Sequence, residues 1–109
     1  MRPQKLLTQE ILRKLPALGA MDGSFPSTVP IVVKFFNPCG AATWYAIEYD
    51  PESREFFGYV DLGDPMCAEL GYFSLDELES IRLPMGLKIE RDAHFGEHYL
   101  SEVLDGKRP

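Results

Sequence analysis

The chain of 109 residues, 45% hydrophobic, 12% aromatic and 26% charged, has the make-up of one folded domain, which excludes a disordered segment. Its net charge of −6 is uneven: Glu48 to Glu79 holds ten acids and one base, Arg54, while the N-terminal arm carries Arg2, Lys5, Arg13 and Lys14 against Glu10. An acidic centre disfavours phosphate binding, and Met1 to Leu7 lacks the apolar run of a signal or membrane helix. The expectation is a cytoplasmic protein with no direct nucleic-acid or membrane contact.

The first element predicted is a short amphipathic helix. Thr8 is placed to cap it, Glu10 favours the positive end of the dipole, and Leu7 is spaced to staple onto Leu12. Ile11, Leu12 and Leu15 share one face, and Pro16 ends the helix. Gly19 to Pro30, rich in glycine, proline and hydroxyls, reads as a loop.

Three strands follow, Ile31 to Phe36, Thr43 to Tyr49 and Glu55 to Leu62. The turns Asn37-Pro38-Cys39-Gly40 and Asp50-Pro51-Glu52-Ser53 place proline at the second turn position, so the strands pair as an antiparallel meander. Strict alternation puts Ile31, Val33 and Phe35 opposite Val32, Lys34 and Phe36. It likewise sets Tyr45, Ile47 and Tyr49 against Trp44, Ala46 and Glu48, and Phe56, Val60 and Leu62 against Phe57 and Tyr59. Neither face is purely polar. One is the core; the other, with Trp44, Phe57 and Tyr59 beside Lys34, Glu48 and Glu55, is either a binding surface or a second layer covered by a chain end.

Leu70 to Phe73 reads as a connector into the best-marked helix, opening at Ser74 and running to Arg82. Ser74 and Glu77 have capping-box spacing, Phe73 and Leu78 have staple spacing, and Leu75, Leu78 and Ile81 face inward. Leu87 to Arg91 alternates like a short fourth strand, and Tyr99 to Leu104 reads as a last helical turn or two. Residues 1–5 and 105–109 are expected to fray. The predicted fold is a single α+β domain over 1–109: a small antiparallel sheet, a three-strand meander with a short fourth strand, packed with two or three short helices.

The candidates for chemistry are few. His94-Phe95-Gly96-Glu97-His98 fits a zinc-peptidase pattern that works on a helix with a third ligand downstream, and only Glu102 or Asp105 is there to supply one. Gly96 weakens that helix, which leaves His94 and His98 as weak metal candidates. The pairs Asp61 with Asp64 and Glu90 with Asp92, near Lys34 or Lys88, are the alternative centre of a metal-dependent nuclease or hydrolase. Cys39 and Cys67 are expected as reduced thiols and sit in no nucleophile signature. No phosphate loop is present, so neither a cofactor nor a catalytic residue is assigned.

Several stretches together resemble a known bacterial family: Lys5-Leu6-Leu7-Thr8 with Leu15-Pro16, Val33-Lys34-Phe35-Phe36-Asn37-Pro38, Thr43-Trp44-Tyr45, Phe56-Phe57-Gly58, Glu69 to Glu79, and Gly86 to Asp92. In order along nearly the whole chain, they resemble domain of unknown function 2958. The family has no established activity, so the resemblance carries over no catalytic residue. It implies a setting on plasmids, phages and other mobile elements, near conjugation and anti-restriction genes.

The functional expectation is a non-enzymatic protein-interaction module, extending to an inhibitor of a host defence system of anti-restriction or anti-CRISPR type. Its partner is a protein, a basic nucleic-acid-binding complex, and its oligomeric state is left open. The candidate protein-binding residues are Trp44, Glu48, Asp50, Glu52, Glu55, Phe57, Tyr59, Asp61 and Asp64.

Overall fold

Short proline turns fold the central apolar segments back on themselves, and the meander they make is one strand longer than expected. In the computed structural model, which describes residues 5–109, β2 (Val33–Phe36), β3 (Thr43–Asp50), β4 (Glu55–Asp61) and β5 (Glu69–Ser74) pair antiparallel in succession. The residues read as a connector are therefore an edge strand: Leu70 pairs with Tyr59 and Tyr72 with Phe57. β6 (Glu90–Arg91), the shortened remnant of the expected fourth strand, pairs with β2 on the far side and completes the order β5-β4-β3-β2-β6.

The predicted first strand is broken. The Val32 N–H still donates to Ala46 O at 2.9 Å, but Pro30 and Ile31, as β1 (Pro30–Ile31), leave the sheet to pair with β7 (His98–Tyr99). Ile31 thus does not share a core with Val33 and Phe35. It packs in a second cluster with Val29, Tyr45, Ile47, Leu100 and Val103.

A second departure from strict alternation lies in β3. The register with β4 slips between Ala46 and Glu48, so Ile47 is the extra residue of a β-bulge. One added residue in a period of two exchanges the faces. Tyr49 consequently joins Trp44 and Ala46 in the first cluster, and Glu48 turns to the other side. Gly58 opposite is required by close approach, because a Cβ there would lie 1.9 Å from the carbonyl oxygen of Tyr45.

Both faces of the sheet carry packed helices, the second over only part of its area. On one, Phe56 is the hub, with ring centroids 4.6 Å from Tyr49, 5.0 Å from Phe73 and 5.4 Å from Phe35. Against this cluster pack Ile11, Leu12 and Leu15 of α1 (Gln9–Lys14) and its C-cap, together with Leu75 and Leu78 of α2 (Leu75–Ser80). Both starts are capped as the sequence predicts: Thr8 Oγ1 accepts from Ile11 N–H at 3.2 Å, and Ser74 Oγ from Glu77 N–H at 3.2 Å. On the other face, α3 (Leu100–Leu104) seats Leu100 and Val103 on Tyr45 and Ile47.

At the C-terminal end, where fraying is expected, the structure places side-chain and backbone contacts, while residues 1–4 lie outside the described residues. Arg108 pairs with Asp61 at 3.2 Å, Lys34 Nζ donates to the Pro109 oxygen at 2.9 Å, and Lys107 N–H donates to Glu102 O at 2.9 Å. Asp61 is buried, so its carboxylate is an anionic partner held in place for the Arg108 guanidinium. No helix among the described residues is long and apolar enough to cross a membrane.

Candidate functional site

Pairing register and burial withdraw Trp44 and Glu48 from the surface. Trp44 is only 8% exposed and lies in the first core, so it is a packing residue. Glu48 is 2% exposed: its Oε1 accepts from Gly19 N–H at 3.0 Å and its Oε2 from Met21 N–H at 2.7 Å. It clamps the loop after α1 onto the sheet. Tyr59 packs partly buried against the second cluster beside Tyr45, and Asp61 is taken by Arg108 and by Gly63 N–H at 2.9 Å. Burial, reinforced by the nearby Asp61 carboxylate, raises the Tyr45 phenol above its ordinary value.

The remaining candidates stay at the surface. Asp50 organises the β3–β4 turn, accepting from Ser53 Oγ at 2.8 Å and Glu52 N–H at 3.1 Å. The Ser53 hydroxyl foremost holds the Asp50 carboxyl below its usual range. Asp64 accepts from Met66 N–H at 3.0 Å in the β4–β5 loop, and Glu52 and Glu55 are exposed. Arg54, the lone base of the acidic stretch, takes a left-handed backbone (φ 58°) and bonds Asp76 at 2.7 Å and Glu79 at 2.8 Å. Those ion pairs engage Asp76 and Glu79 of α2 and leave Glu77 exposed. Of the other acids facing solvent, Glu52, Glu55, Asp64 and Glu69 flank β4 and β5.

Between those acids lies an apolar strip that α3 does not reach. Phe57 and Tyr72 are paired residues on neighbouring strands with ring centroids 5.0 Å apart, and Leu70 lies one pair further along on the same face. Tyr72 is 65% and Leu70 40% exposed, and Met66 in the adjoining loop is 92% exposed. Phe57 was foreseen from its alternation. Leu70 and Tyr72 were missed because Gly71 between them reads as a breaker, although their period of two was a usable signal.

The metal candidates do not converge. His94 to His98 is not helical: His94 is exposed in a turn, and His98 lies in β7, where Nδ1 meets Glu102 Oε1 at 2.9 Å. Glu102 Oε2 accepts from Tyr99 N–H at 2.6 Å, so this carboxylate caps α3. The His98 hydrogen bond first, and the Tyr99 amide second, depress the Glu102 carboxyl. Asp92 lies 3.8 Å from Lys34 and accepts from His94 N–H at 2.9 Å, while Glu90 sits partly buried in β6. Among the described residues no group of three or more His, Cys, Asp or Glu is placed to hold a metal. Cys39 and Cys67 are both exposed and free.

A family model described as a protein of unknown function (DUF2958) matches residues 6–107. No curated protein and no solved structure matches the chain.

Proposed function

We propose, from the premise that this chain belongs to the DUF2958 family of proteins of unknown function, that it is a non-enzymatic interaction module of a mobile genetic element that blocks a host defence complex. The observation that carries the reading is the uncovered strip of Phe57, Leu70 and Tyr72, with Glu55 and Asp64 towards its two ends, Glu52 in the adjoining turn and Glu69 beside it on the opposite face of the edge strand. A contiguous apolar patch rimmed by charge is suited to protein contact, with aromatic side chains supplying most of the buried area. A rim of one sign selects a basic partner and speeds encounter in a salt-dependent way, as the groove of a nucleic-acid-binding machine would require. The mobile-element setting is what the family resemblance implies.

The test is capture of partners from the natural host with tagged protein at low salt, followed by a nucleic-acid-binding assay on the captured complex. The reading expects a nucleic-acid-binding complex that salt releases and that loses its nucleic acid while this chain is bound. It also expects the variant combining Glu52→Lys, Glu55→Lys, Asp64→Lys and Glu69→Lys to keep its circular dichroism and capture nothing. Capture that survives the charge reversal refutes the reading.

A further inference from the structure

We propose that β5 is an open docking edge onto which a basic, extended segment of the partner adds as a sixth strand. This rests on the interaction reading above and specifies how that surface is engaged.

The two ends of the sheet are built differently. At the β6 end the pairing covers only two residues, and Arg91 reaches across to the carbonyl oxygens of Lys5 and Leu6, so the N-terminal segment closes that side. At the other end β5 presents six residues with neither lysine nor proline among them, and no strand among the described residues lies beyond it. Charge, proline and brevity are the usual means by which an edge is kept from pairing, and β5 has only Glu69.

Gly71 points the same way. Its pair mate Gly58 is glycine because a Cβ would strike Tyr45 O, whereas a Cβ on Gly71 would meet nothing within 4 Å and its φ is not left-handed. Neither packing within the chain nor backbone conformation calls for glycine there. A smooth edge that lets another backbone approach closely does.

Charge names the occupant. A strand laid along β5 passes Glu69 and runs between Glu55 at one end of the hairpin and Asp64 at the other, while its side chains on one face meet Tyr72 and Leu70. Lysine or arginine alternating with apolar residues fits that pattern, main-chain hydrogen bonds supplying affinity and alternate side chains specificity. A second copy of this chain would bring one acidic surface up to another, so self-pairing is disfavoured at a net charge of −6.

The test uses the whole protein, isotopically labelled, with a short peptide of alternating lysine and valine as the probe. Strand addition expects slowed amide exchange within Glu69 to Ser74 on peptide binding. It further expects roughly tenfold weaker binding when the peptide amides facing the edge are N-methylated, the loss of one or two hydrogen bonds. Binding that perturbs Phe57 and Tyr72 but tolerates N-methylation overturns strand addition and leaves the basic-partner surface standing. Peptide binding unaffected by Glu55→Lys, Asp64→Lys and Glu69→Lys together overturns both. Protection of β5 that rises with protein concentration without peptide assigns the edge to a second copy and overturns the proposal.

Discussion

Glu48 was read from its position in the chain as a surface acid, and the structure makes it the clamp between β3 and the loop after α1. Glu48→Ala removes two hydrogen bonds to a carboxylate, those from Gly19 and Met21 N–H. Bonds to charged groups contribute about 1.5–3 kcal/mol each, so the gross loss is roughly 3–6 kcal/mol. Gly19 is exposed and Met21 half-buried, so water recovers part of this. The expected net loss is about 2–3 kcal/mol, a large share of the roughly 5–15 kcal/mol that holds a domain. Urea unfolding measures it, and thermal unfolding should fall by about 10 °C, at ~4 °C per kcal/mol. Amide exchange localises the effect: Gly19 and Met21 should open quickly, while Tyr49 N–H, bonded to Pro16 O at 2.9 Å, stays slow. A loss under about 0.5 kcal/mol, the size of an ordinary surface substitution, with Gly19 and Met21 exchange unchanged would refute the clamp.

Gly58→Ala should unfold the protein or abolish soluble expression, whereas Gly71→Ala should leave urea stability within about 0.5 kcal/mol of the parent, since only the first Cβ meets backbone. Equal effects would remove the distinction between the two glycines. At Arg54, Arg54→Ala loses the ion pairs to Asp76 and Glu79 and keeps the left-handed turn, while Arg54→Gly loses the same pairs and relaxes it. The glycine variant should therefore be the more stable in thermal melts, and high salt should narrow the gap between either and the parent. The Glu102 carboxyl is depressed in the folded chain, so its stabilisation is present above its unfolded value and is lost as pH falls through the folded one. Acidification below about pH 4 should weaken the α3 cap, and Glu102→Gln should flatten that part of the pH–stability curve.

Local chemistry was legible wherever the cause is local. Thr8 and Ser74 cap their helices because a hydroxyl three residues before a free amide needs no tertiary partner. The proline turns were readable for the same reason, and with them the antiparallel meander and the α+β class. Family membership also followed from the order of short motifs along the chain.

What stayed hidden depends on neighbours distant in the chain. Whether Ile47 counts in or out of the β3 pairing is set by Gly58 and Phe57 across the strand, and that one bulge moves Tyr49 into the core and Glu48 onto the loop. Val32 carries no mark that Ile31 leaves β3 for His98. Arg108 and Pro109 look like a loose end until Asp61 and Lys34 are brought beside them. So the sequence by itself determined the caps, turns, strand order within the meander and acidic character, all functions of residues a few positions apart. Only the tertiary structure decided which aromatic residues are core and which acids remain free, because burial depends on what the rest of the chain lays over each face.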